Sequence, residues 1–101
     1  MKIPPLVIVG GHNIVVELKE VIFDTNNEPA LGMAYLIQDR IEVATHYVGL
    51  EVSVDNKGMA LIHEIIHHID SVYGIKLKER QVEDLSQGVY QVMKFNKFEF
   101  E

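Results

Sequence analysis

The hydrophobic positions in the first half of the chain follow the patterns of short β-strands. Residues 5–11 form an apolar run that ends in two glycines, which is typical of a short buried strand. Residues 33–46 indicate two strands around a turn near Asp39. Residues 13–23 fit a strand, because they are rich in β-branched side chains, and fit a short helix equally well. Residues 1–50 are therefore expected to be rich in strands.

The second half of the chain has the apolar spacing of two helices. The first is expected over about residues 56–73, with Asp55 or Asn56 as its N-cap and Gly74 as a left-handed C-cap. The second is expected over about residues 79–94. Its apolar stripe consists of Val82, Leu85, Val89 and Val92 or Met93. Strands followed by helices predict one α+β domain over the whole chain, with a mostly antiparallel or mixed sheet.

Charge and cysteine content narrow the classes of function. The 101 residues include 15 acids and 9 Lys or Arg, which gives a net charge of −6. This balance argues against binding to nucleic acid or to an anionic membrane surface. Because there is no cysteine, a metal ion would have to be held by His, Asp or Glu. No signal peptide is visible and the first apolar run is too short to span a membrane, which favours a cytoplasmic protein.

The segment HEIIHHID, residues 63–70, concentrates titratable side chains on the first helix. His63 and His67 are four residues apart, so both imidazoles lie on one face of the helix and can share a zinc ion. Glu64 completes the H-E-x-x-H pattern, in which the glutamate is the general base on water whose pKa the metal lowers to about 7. The alternative is a buried network of His and Glu side chains without metal. His68 is expected to be exposed or to make a structural hydrogen bond.

A catalytic zinc site needs a third protein ligand, and the candidates are Asp70, Glu79 and Glu83. Ligands from His63 to Asp70 on one straight helix would spread over about 10 Å of its axis, which is too far for a single ion unless the helix bends. A glutamate from the second helix closes a compact site more easily. Asp70 would then anchor the helix end or form a hydrogen bond to a zinc ligand.

The letters HEIIH, followed by ERQVEDLS from Glu79, resemble the gluzincins, which are thermolysin-like zinc metallopeptidases. The resemblance implies that Glu79 is the third zinc ligand and that Glu83 holds a zinc-binding imidazole in its metal-binding tautomer. Val82 and Glu83 depart from the family's second motif, E-x-x-A/S-D/N, which leaves open an exchange in which Glu83 is the ligand. The short chain and the order of its elements are similar to the minigluzincins over about residues 40–94.

The resemblance implies a zinc metallopeptidase that holds one zinc ion per chain and hydrolyses a peptide or protein substrate, with Glu64 as general base on zinc-bound water. It also allows a latent or inactive zinc-binding domain, because in minigluzincins a terminal segment can lie over the cleft. For tail residues 95–101, docking on the sheet or on a neighbouring subunit is the favoured alternative. Residues 40–48 are the best candidate for the sheet-edge strand that binds an extended peptide. Homo-oligomer formation is left open.

Overall fold

Short strands fill the first half of the chain and two helices fill the second. The computed structural model describes residues 2–98. The strands in this range are β1 (Leu6–Val9), β2 (His12–Lys19), β3 (Ile22–Phe23), β4 (Pro29–Ala30), β5 (Gly32–Tyr35), β6 (Arg40–Ala44), β7 (His46–Tyr47) and β8 (Leu50–Glu51). The helices are α1 (Val54–Tyr73) and α2 (Glu79–Phe95). The predicted α+β class with two helices is confirmed, and each helix end lies close to its predicted position.

Four of the strands form one mixed sheet in the order β1–β2–β6–β5. β1 and β5 run antiparallel to their neighbours, whereas β2 and β6 run parallel to each other. The parallel pair is possible because the chain passes through β3, β4 and β5 before it returns as β6. In β2, Ile14 and Val16 are buried and Val15 is exposed, which is the two-residue period of a strand. The strand alternative for residues 13–23 is therefore the one that the structure adopts.

The edge strands of this sheet are β1 and β5, because β6 lies between β2 and β5. The expectation that residues 40–48 form the peptide-binding edge is therefore wrong. β6 accounts for residues 40–44 of that segment and is paired on both sides. Residues 46–47 turn away as β7 and pair with β8 in a separate hairpin. Both edge strands contact α1, and β5 is the one that packs against Glu64.

α1 is covered on two sides, which explains why its sequence is so apolar. One side packs on the sheet in a cluster made of Val9, Ile14, Val16, Ile41, Val43, Ala60 and Leu61. The other side packs on α2 in a cluster made of Ile62, Ile66, Val82 and Tyr90. Burial of such side chains contributes roughly 1.5–3 kcal/mol each to folding. These two contacts fix the orientation of α1, and with it the directions of the HEIIHHID side chains.

Local hydrogen bonds set the ends of α1. Its N-cap is Ser53, whose Oγ accepts the Asn56 N–H at 3.1 Å. The expectation of Asp55 or Asn56 as the cap is wrong, because both residues already lie inside the first turn. Gly74 is the C-cap as predicted, with a φ of +62° that glycine adopts without strain. Within residues 2–98, neither helix is long and apolar enough to cross a membrane.

The described part of the tail lies beside α2. Phe98 borders an apolar groove that is also lined by Leu85, Gly88, Val89, Val92 and Met93. Phe98 does not line the cleft that contains His63. The sequence favours docking on the sheet or on a neighbouring subunit, and for Phe98 the surface is α2 of the same chain. Residues 99–101 lie outside the described part, so for them the hypothesis of a tail over the cleft stays a prediction.

Candidate metal centre

His63 and His67 project from the same face of α1, as their spacing predicts. Their ring centroids are 4.9 Å apart and the ring planes meet at 63°. The side chains are 17% and 27% exposed, so the surrounding helices hold them in place while solvent still reaches them. Burial lowers the pKa of His67 below its usual range, against the opposite effect of the Glu79 carboxylate. Burial therefore favours the neutral imidazole, which is the form that binds a metal ion.

Glu79, the first residue of α2, brings a carboxylate to both imidazoles. Its Oε1 lies 2.8 Å from His63 Nε2, and its Oε2 lies 3.2 Å from His67 Nε2. The connection from α1 sets this position, since Asp70 Oδ1 accepts the Leu77 N–H at 3.0 Å. Asp70 thus anchors the turn that leads into α2 and stays outside the His–Glu group.

The group fits the needs of a small divalent cation. One ligand atom from each of His63, His67 and Glu79 lies within 4.8 Å of the other two. Tetrahedral zinc with bonds near 2.0–2.1 Å separates its ligand atoms by about 3.4 Å. Rotations of the side chains that shift the ligand atoms by about 1 Å would reach that geometry. Two imidazoles and one carboxylate are the ligands of many catalytic zinc sites, and they leave a fourth position for water.

Glu83 lies on the other side of the His63 ring from Glu79. Its Oε2 is 3.1 Å from His63 Nδ1, whereas Glu79 contacts Nε2 of the same ring. If Nε2 of His63 binds a metal ion, Nδ1 carries the ring proton. Nδ1–H can then donate a hydrogen bond to Glu83 Oε2. The geometry groups Glu79 with the two histidines, and it gives Glu83 a position behind His63.

The side chain of Glu64, a residue of α1, is buried against strand β5. Its side chain is packed so closely on Gly32 that a Cβ added there would lie 3.1 Å from Glu64 Oε2. Only 8% of Glu64 is exposed. Burial, together with the negative charges of Glu79 and Glu83, raises the pKa of Glu64 to about 8. Without a metal ion, the carboxyl group is therefore mostly protonated at neutral pH.

A cleft of about 310 Å³ opens beside His63 and Glu64. It is lined by Pro29, Ala30, Leu31, Gly32, Tyr47, Asn56, Met59, Ala60, His63, Glu64, Glu83, Ser86 and Gln87. The lining comes from α1, from α2, from the segment that leads into β5, and from Tyr47 of β7. His63 and Glu64 are thus accessible from a space that can hold a small segment of a ligand.

Strand β5 turns free main-chain groups toward its open edge. The Leu31 C=O accepts the Ala44 N–H at 2.8 Å. In an antiparallel pair, such bonded residues alternate with residues whose N–H and C=O point away from the partner strand. Gly32 and Ala34 occupy the alternate positions. Sequence reasoning missed this edge, since a short Gly-Met-Ala-Tyr segment carries no signal for its place in the sheet.

His68, the third histidine of the segment, is turned away from the metal group. It is 1% exposed, and its Nε2–H donates to the Arg40 C=O of β6 at 3.1 Å. The expectation of a structural hydrogen bond is confirmed, and the alternative of an exposed side chain is wrong. The hydrogen bond ties α1 to the centre of the sheet next to the two candidate ligands.

Comparison with known proteins assigns no relative to this chain. No protein family, curated protein or solved structure matches it. The resemblance to gluzincins therefore rests on the residues of the two sequence motifs alone.

Proposed function

We propose that the protein is a zinc-dependent metallopeptidase of the gluzincin type that cleaves peptide bonds in an extended peptide. One observation carries the proposal. The buried Glu64 packs against Gly32 of the edge strand β5, and it lines the same cleft as His63, which belongs to a group of three candidate zinc ligands. A purely structural His–Glu network has no need of a buried acid facing a cleft and a free strand edge.

His63, His67 and Glu79 would hold the zinc ion, with the imidazoles kept in place by α1 and the carboxylate by α2. When bound, zinc would supply a Lewis acid that polarises a carbonyl group and lowers the pKa of water to about 7. The chain has no cysteine to offer a competing thiolate ligand. A His₂-carboxylate set is suited to zinc, although other divalent ions also bind to it.

Glu64 would act as the general base and then as the general acid. Its carboxylate takes a proton from the attacking water and later gives a proton to the leaving amine. The burial that favours its protonated form in the metal-free protein would be opposed by a nearby cation. The charge of Glu64 in the working site would therefore depend on the metal.

The substrate would lie along β5 as an added antiparallel strand. The outward main-chain groups of Gly32 and Ala34 can form hydrogen bonds with an extended peptide, whatever its side chains are. Gly32 is also in contact with Glu64, so a peptide on this edge would pass beside the general base. Because residue 32 is a glycine, the Glu64 side chain can pack this closely on the strand.

A second candidate function is a zinc-binding domain without catalysis. It is favoured by the fact that the ligands come from two different helices, so a metal ion would cross-link α1 to α2. In a domain of this size, such a link can contribute a large share of the stability. Zinc binding is common to both candidates, and peptide hydrolysis separates them.

The test uses zinc-loaded protein and a mixture of peptides analysed by mass spectrometry. Wild-type protein is expected to cleave peptides, and Glu64→Gln is expected to lose at least about a hundredfold in rate while it retains zinc. Glu51→Gln, an exposed glutamate on β8, is the matched control and should cleave as the wild type does. Equal rates for Glu64→Gln and wild type would overturn the assignment of Glu64. A zinc-loaded wild type with no cleavage would favour the second candidate.

A further inference from the structure

Gln87 lies one turn of α2 beyond Glu83 and is bonded to it. The Gln87 Nε2–H donates to Glu83 Oε1 at 3.1 Å. The other carboxylate oxygen of Glu83, Oε2, lies 3.1 Å from His63 Nδ1. The contacts thus run from Gln87 through Glu83 to a candidate metal ligand. Residues four apart on a helix are neighbours, so Gln87 can hold the carboxylate without any change in the helix.

We propose that Gln87 is a positioning residue of the metal centre. Its amide fixes the Glu83 carboxylate against His63 Nδ1, which keeps Nε2 of that ring directed at the metal. The proposal rests on the metal site of the proposed function, and it does not depend on peptide hydrolysis. It assigns a purpose to a polar side chain that neither motif of the sequence includes.

The need for such a support follows from the exposure of Glu83. Its side chain is 53% exposed, so an unsupported carboxylate would sample several rotamers in water. Each rotamer that points away from His63 leaves Nδ1 without its acceptor. Outer hydrogen-bond partners of metal-binding histidines typically contribute about 10- to 100-fold to metal affinity. A group that orders such a partner is expected to contribute a smaller part of that factor.

The charge of the surroundings explains why the support is a neutral amide. The described residues that line the cleft include two acids, Glu64 and Glu83, and no Lys or Arg. A cationic side chain at position 87 would also bind Glu83, yet it would repel a divalent ion in the same cleft. An amide donates a hydrogen bond to the carboxylate without this cost.

The first part of the test compares zinc affinities by competition with a chromophoric chelator. Gln87→Met keeps the length of the side chain and removes the donor. It is expected to weaken zinc binding by about three- to tenfold. Gln91→Met, an exposed position one turn further along α2, is the matched control and should bind zinc as the wild type does. Equal affinity of Gln87→Met and wild type would overturn the proposal.

The second part separates positioning from a general effect on α2. Glu83→Ala removes the carboxylate through which Gln87 is proposed to act. In that background, Gln87→Met should change zinc affinity by less than about twofold, since a double-mutant cycle reports only the shared contact. An undiminished effect of Gln87→Met in the Glu83→Ala protein would contradict the proposal. A wild type that binds no zinc would overturn the metal site itself, whereas a zinc-binding wild type without peptidase activity would leave the role of Gln87 intact.

Discussion

Replacing Glu64 by Gln is expected to stabilise the metal-free protein at neutral and alkaline pH. Glu64 is buried, and its pKa is raised from 4.5 to about 8 by burial and by the charges of Glu79 and Glu83. The folded protein therefore holds a proton on this group at pH values where the unfolded chain has released it. The contribution of Glu64 to the free energy of unfolding is fully present below its pKa in the unfolded chain. This contribution is lost as the pH rises toward its pKa in the folded protein. Gln has nearly the same shape and cannot ionise.

The size of the effect follows from the two pKa values. Each pH unit between them costs the folded state of the wild type about 1.4 kcal/mol. Relative to acidic pH, the loss in the free energy of unfolding is about 1 kcal/mol at pH 5, about 3 kcal/mol at pH 7 and about 5 kcal/mol at pH 9. A domain of this size has a total stability of roughly 5–15 kcal/mol, so the loss is large enough to measure.

The assay is urea unfolding in the presence of a metal chelator at pH 5, 7 and 9, with the free energy obtained by linear extrapolation. The difference between Glu64→Gln and wild type should widen from pH 5 to pH 9 by about 4 kcal/mol. Because the histidines are present in both proteins, their titration cancels in this difference. Glu20→Gln, an exposed glutamate, is the control and should follow the wild type at every pH.

Parallel pH profiles for Glu64→Gln and wild type would refute the reasoning. They would mean that the Glu64 carboxylate is hydrated in the folded protein and that its contact with β5 is loose. In that case, Glu64 would not be held beside the strand edge as described.

Three further predictions concern the framework that holds the site. His68→Ala should lower the free energy of unfolding by about 3 kcal/mol in urea titrations, because it leaves a cavity and removes the hydrogen bond to the Arg40 C=O; a loss below about 1 kcal/mol would contradict this account. Ser53→Ala should cost about 1 kcal/mol by the same assay through loss of the bond to the Asn56 N–H, and an unchanged midpoint would speak against the cap. The hydrogen bonds from Lys94 and Tyr90 hold the pKa of Asp55 below its ordinary value. They therefore stabilise the protein at pH values above that ordinary pKa, and this effect is lost as the pH falls through the pKa of Asp55 in the folded protein. Asp55→Asn should therefore be less stable than wild type at pH 6, and the difference should shrink as the pH is lowered into the acid range. A difference that does not change with pH would refute the assignment.

The helices and the local part of the site could be predicted because their signals lie within a few residues. His63, Glu64 and His67 share one helical face by spacing alone, and Gly74 ends α1 by its backbone conformation. The N-cap was harder, since Ser53, Asp55 and Asn56 are all good caps in almost consecutive positions. Only the hydrogen bond to Ser53 Oγ selects among the three.

The order of the strands could not be predicted in the same way. Arg40–Ala44 and Gly32–Tyr35 both read as short strands, and the sequence does not state which of them is central. The parallel pairing of β6 with β2 decides this, and it joins residues more than twenty positions apart. The turn between β7 and β8 could not be predicted either, because Val48 adopts a φ of +50° that is unfavourable for a β-branched residue.

The direct test of the central claim is a titration of zinc into chelator-stripped protein, with heat and metal content as the two readouts. Wild-type protein should take up one zinc ion per chain, and His63→Ala should lose this uptake. His46→Ala, which changes a histidine outside the metal group, should bind zinc as the wild type does. No uptake by the wild type, or uptake that is unchanged in His63→Ala, would contradict the metal centre and the function proposed for it.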